Sequence, residues 1–161
     1  MTDLLPVLQD FYRDTLTALL RHQAAARFVG QYDINNTYQY IINREETQLS
    51  WIATAIGELG GTLVDVDEPS RAATGKRADV ARALIEEDGH DAQAFVDRWR
   101  PRIDAMENAR HAKMLRVVLG EVLEQKRFFE QALAGRTDLL GKRGGTLGPA
   151  HGEVLASRWI E

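Results

Sequence analysis

The sequence predicts an all-α protein, an antiparallel four-helix bundle followed by a loop-rich C-terminal tail. Three observations carry that reading. Apolar residues recur every three or four positions along four long stretches, the spacing of core-facing helix sides. Glycines fall at the ends of these stretches, at Gly30, Gly60–Gly61, Gly89 and Gly135, where a helix stops most easily. One long connector, residues 61–76, separates two pairs of helices, which suits a bundle with a single crossover.

The first helix starts at Asp3, a residue suited to an N-cap, with Pro6 tolerated in the first turn. Its stripe is Leu5, Leu8, Tyr12, Leu16, Leu19, Gln23 and Ala26, ending on Gly30 as a C-cap. A short joint, roughly Gly30 to Ile34, makes the second helix its antiparallel neighbour. That helix starts near Asp33 or Asn35 and runs to Gly60–Gly61, with the stripe Tyr38, Ile41, Glu45, Gln48, Ile52, Ile56 and Leu59. In the connector, TLVDV has the composition of a brief extended segment, but one strand has no partner.

The third region reads as two pieces. ADVARALIEE ends around Gly89, and DAQAFVDRWR is capped by Asp91 and interrupted before Pro101. The fourth stretch, Pro101 to Leu133, reads as one rod of about 50 Å. Its stripe is Ile103, Glu107, Arg110/His111, Met114, Val118, Glu121, Gln125, Phe128 and Ala132. Here Glu107, His111, Glu121 and Gln125 stand where a plain core helix would carry Leu or Val. Beyond Gly135 the chain turns glycine-rich, and its closing VLASRWIE is apolar enough to dock on the bundle or on a second subunit.

Composition sets outer limits on function. With 161 residues, 44% of them hydrophobic, the chain is long enough for one domain with a true core. A net charge of −4 with both signs interspersed argues against nucleic acid and against anionic membrane surfaces as partners. The absence of cysteine removes disulfides, thiolate metal sites and cysteine nucleophiles. No apolar window approaches the roughly 18 residues needed to span a bilayer. The acidic start MTDLLPVLQDFYRD lacks the basic and apolar regions of a signal peptide. The expectation is a cytoplasmic protein.

The chemistry sits in the stripes. Glu45 and Gln48 share a face of the second helix between Ile41 and Ile52. A carboxylate there must find a partner or take up a proton. Glu121, Glu124 and Gln125 cluster on the last helix, with His111 nearly three turns earlier. Two helices that each carry a Glu and a second polar group one turn later have the form of bundle-core di-metal sites, where hard cations take carboxylate oxygens and imidazole adds affinity.

The stretch YDINNTYQYIINREETQLSWIATAIGELGG resembles the metal-binding helix of ferritin-like and rubrerythrin-like proteins, typically E-E-x-H-x-x-W-L-x-x-L-x-x-L-G. ENARHAKMLRVVLGEVLEQKRFFEQALAG is similar to their last helix. The resemblance covers roughly residues 1–135. It implies a ferritin-like bundle over 1–135, with 136–161 an extended tail docking on it or on a partner subunit. It also implies iron or manganese in the core and no organic cofactor. Carried over, Glu45 matches the glutamate of the first motif and Gln48 stands at its histidine. Glu121 and Glu124 are the carboxylates of the last helix, and Gln125 falls at its histidine. The first helix offers no glutamate; Tyr12, Asp14, Thr15 and His22 are its polar candidates. The candidate metal residues are therefore Glu45, Gln48, Glu121, Glu124, Gln125, His111 and His22.

Each has a plainer alternative. Glu45 and Gln48 could form a polar pair satisfied across the bundle by Gln125, Tyr12 or His22. Glu121 and Glu124 could be a charged face running into Lys126 and Arg127, and His111 could sit at the stripe's edge. Trp51 and Trp99 read as core or interface anchors. The resulting function is a ferritin-like metal binder, or a metal-free bundle of that type acting as a binding or assembly module. A three-histidine enzyme of DinB-like type cannot be assembled from four scattered histidines. The apolar tail predicts a homodimer.

Overall fold

A computed structural model describes residues 3–71 and 74–141. Four helices account for most of them: α1 (Leu4–Ala26), α2 (Tyr32–Glu58), α3 (Arg77–Asp104) and α4 (Ala109–Leu133). The described residues contain no strand, and TLVDV lies in irregular backbone.

Helix ends follow local chemistry. The Asp3 carboxylate accepts from the Leu5 amide at 3.3 Å and starts α1, while Pro6, in the first turn, has no amide to waste. α1 stops at Ala26, before the expected Gly30. The amides of Phe28 and Val29 turn back onto the Ala25 and Ala26 carbonyls, and Asn35 bonds the carbonyls of Ala26 and Val29. Gln31, rather than Asp33 or Asn35, caps α2 by accepting from Ile34 N at 2.7 Å. At the other end Gly60 takes φ +75° and the Gly61 amide reaches the Ile56 carbonyl at 3.0 Å. That left-handed turn satisfies carbonyls the helix leaves open. Gly135, at φ +92°, ends α4 in the same way.

The second half corrects the sequence reading twice. α3 does not break at Gly89. It runs unbroken from Arg77 through Gly89 and takes in Pro101. Gly89 is buried, and the place a Cβ would occupy lies 3.6 Å from Phe129 Cβ, so the glycine sits in ordinary contact with α4. Pro101 falls in the last turn of α3 rather than opening the next helix. The rod over 101–133 is likewise cut. Residues 105–108 form the joint, and the Asn108 side chain caps α4 by accepting from His111 N at 3.0 Å.

The helices pair as α1 with α2 and α3 with α4. Between the pairs, rising numbers meet falling ones. Asp10 meets Arg102 at 3.2 Å, the Trp99 indole donates to Asp14 at 2.8 Å, and Arg21 meets Asp91 at 3.0 Å. On the other side Arg44 meets Glu121, and Tyr40 packs on Phe128. Between Thr62 and Arg71 the connector runs beside α1: Gln9 donates to the Thr62 carbonyl and Arg71 to the Arg21 carbonyl.

Two apolar clusters fill the interior. One gathers Leu8, Phe11, Ile52, Ile56, Val96, Trp99, Leu115 and Val118. The other gathers Leu19, Tyr38, Ile41, Val80, Leu84, Phe128 and Phe129. On every helix a buried polar residue lies where one cluster gives way to the other: Thr15, then Glu45 and Gln48, then Asp88, then Gln125. His22 follows Thr15 two turns on. This belt across mid-bundle is what the fold positions.

Candidate functional site

The belt is built from both helix pairs. His22 on α1 and Glu45 on α2 are 4% and 2% exposed, and their Nδ1 and Oε1 atoms lie 2.8 Å apart. On α3, Asp88 is equally buried, 1% exposed. It accepts from the Tyr38 hydroxyl at 2.6 Å and from Arg71 Nη1 at 2.8 Å. The Arg71 side chain comes in from the connector and is 2% exposed. Phe129 covers the assembly, with ring centres 5.6 Å from His22 and 5.5 Å from Tyr38.

Electrostatics follow from this packing. Burial disfavours an imidazolium, but the charge and hydrogen bond of Glu45 outweigh it, so His22 holds its proton above the ordinary range. Burial also raises Glu45; the His22 contact opposes that, Asp88 reinforces it, and the net direction is up. Each group of the pair therefore keeps its proton to a higher pH than it would in water. Burial, then Asp88, pushes the Tyr38 hydroxyl well above its usual value.

Of the seven metal candidates, four are buried: His22, Glu45, Gln48 and Gln125. Gln48 is fully buried and neither amide atom has a partner among the described residues. The other three lie elsewhere. Arg44 grips the half-buried Glu121 through two bonds of 2.8 and 2.9 Å. Glu124 is 3.7 Å from Arg127 on its own helix. His111 lies in the first turn of α4, its Nδ1 2.8 Å from Asn108 Oδ1. Glu107 is exposed in the α3–α4 joint. Trp99 is a fully buried core anchor, whereas Trp51 is 37% exposed, with the Arg44 guanidinium 5.8 Å above its ring.

Sequence reasoning passed over Asp88 and Arg71. Asp88 stands next to the glycine read as a helix end, and Arg71 belongs to no periodic element. A buried position for Asp88 becomes legible only once α3 is continued through Gly89, because Leu84, Asp88 and Ala92 then fall on one face.

The donor set can be tested against a di-metal centre. Such a centre needs two Glu-x-x-His pairs and two further carboxylates. In the belt, His22 and Glu45 are bonded to each other, Asp88 is committed to Arg71 and Tyr38, and the remaining groups, the Thr15 hydroxyl and the Gln48 and Gln125 amides, are neutral. Among the described residues no three His, Asp or Glu side chains converge on one point. The residues do not fit that centre.

No helix among the described residues is long and apolar enough to cross a membrane. The C-terminal segment 154–161, expected to dock on the bundle or on a second subunit, lies outside the described residues. Compared with protein-family models, with curated proteins and with solved structures, the chain matches none.

Proposed function

We propose that the chain is an antiparallel bundle of ferritin-like type that works without a metal, as a binding module built on a polar belt. One observation carries this reading: the two ionisable groups best placed to ligate, His22 and Glu45, are joined to each other at 2.8 Å in the buried belt. The register of Asp10–Arg102 and Arg44–Glu121, with one connector along α1, supports the topology. Gln48 and Gln125, neutral amides at two histidine positions of the resemblance, suit hydrogen bonding better than cation binding. A homodimer in the cytoplasm is part of the same proposal.

The rival reading binds iron or manganese. Its support is that Glu45 and His22 bring an oxygen and a nitrogen donor to the bundle centre. Metal analysis of protein purified without chelator, with thermal unfolding in added Fe(II) or Mn(II), separates the two. The metal-free reading expects substoichiometric metal and an unmoved melting temperature. Stoichiometric metal, or a melting temperature raised by either ion and lost in Glu45→Ala, overturns it.

A further inference from the structure

A pocket of about 190 Å³ lies between α1 and α3 and reaches the belt at His22 and Gln125. Cavities of roughly 150 Å³ accept a benzene ring, so this one suits a molecule of one ring and a small substituent. Phe95, Val122, Ala18 and Ala92 give it apolar walls. Its charged lining is already paired. Arg21 is bonded to Glu87 and Asp91, Arg98 lies 3.1 Å from Asp14, and Asp88 holds Arg71 and Tyr38. What remains unspent is hydrogen-bonding capacity at His22 and Gln125. His22 uses only Nδ1, leaving Nε2, and the Gln125 amide makes no hydrogen bond among the described residues while being 4% exposed.

We propose that this pocket binds a small uncharged molecule that carries a primary amide on an apolar ring. The amide oxygen accepts from one group and its NH₂ donates to the other, so it satisfies His22 Nε2 and Gln125 together whichever state the ring is in. The ring takes the Phe95 and Val122 walls. A carboxylate in the same place would be a fourth acidic group beside Asp14, Asp88 and Asp91, with both lining arginines, Arg21 and Arg98, already engaged, which costs it binding. This deepens the binding-module reading and rests on it.

The experiment titrates the full chain with benzamide, benzoate and toluene. It uses calorimetry, and NMR of the His22 ring and Gln125 side-chain amide. Benzamide should bind saturably and shift both signals, and benzoate and toluene should bind more weakly. Gln125→Leu should weaken benzamide about tenfold, the equivalent of one hydrogen bond. Ala18→Leu, which fills the wall, should abolish binding, with circular dichroism confirming that both variants are folded. Absence of saturable benzamide binding, benzoate or toluene binding as tightly, or an unchanged affinity in either folded variant overturns the proposal. Failure in protein shown to be metal-free removes this inference alone; stoichiometric metal removes the binding-module reading itself.

Discussion

His22 and Glu45 face each other across the α1–α2 interface at 2.8 Å, both almost wholly out of water. One residue earlier, Arg44 points its charge to a different partner, the half-buried Glu121. Adjacent positions on α2 thus serve the belt and the rim. A buried pair of this kind is costly to break and cheap to replace, because truncating one partner strands the other's charge. Glu45→Ala should lower the unfolding free energy by about 3–5 kcal/mol. His22→Leu with Glu45→Leu should cost far less than the sum of the single changes. Urea unfolding of the three variants measures this; a loss below about 1 kcal/mol in Glu45→Ala would mean the pair is not coupled in solution.

The same pair fixes a pH dependence. His22 holds its proton above the ordinary 6.5, so its contribution is whole below that value and is lost as pH rises through the folded one. Glu45 is also raised, from 4.5, so its contribution too is present in acid and declines upward. At His22 the further neighbours Asp88 and Arg71 oppose each other, and at Glu45 Asp88 adds to the upward direction. Stability should therefore fall as pH climbs above 6.5, and the double leucine variant should show a flatter profile. A wild-type stability that rises over that range contradicts the assignment.

Arg71 is a connector side chain seated deep in the bundle, 2% exposed and bonded to Asp88 and to the Arg21 carbonyl. Arg71→Met keeps the length of the side chain but leaves the buried Asp88 carboxylate with Tyr38 alone. The expected loss is about 2–4 kcal/mol, with faster proteolysis confined to residues 62–76 while helix content persists. Cleavage at wild-type rates would show that other contacts hold the connector.

How far the sequence reveals this molecule depends on the element. Leu8, Tyr38, Ile41, Ile52 and Phe128 keep helical spacing and are core residues, so the faces of α2 and part of α1 and α4 are legible. Gly89 and Asn108 mislead in opposite directions. A buried glycine against Phe129 does not end α3, whereas an asparagine inside a helical pattern does start α4. Of the site, His22 and Glu45 are each visible as polar residues on apolar faces, and their pairing is among the partnerships the sequence allows. Glu121 occupies the same kind of stripe position, and nothing local reveals that Arg44 reaches it. Arg71 is invisible because its role depends on a tertiary path of the connector, which periodicity does not encode.

Gly120 tests the outer face of α4. It is exposed in mid-helix, and a Cβ there would meet nothing within 4 Å. A glycine in a helix interior costs roughly 0.5–1 kcal/mol relative to alanine. Gly120→Ala should therefore raise the melting temperature by about 2–4 °C, the shift a kcal/mol gives in a domain of this size. Its neighbours Val117 and Leu123 are 48% and 37% exposed, so this face is where a second copy would have apolar surface to cover. A Gly120→Ala protein that is less stable, and sediments as a lighter species than wild type, would mean that another chain packs against the bare backbone here. A stabilised variant of unchanged mass would place any dimer contact elsewhere.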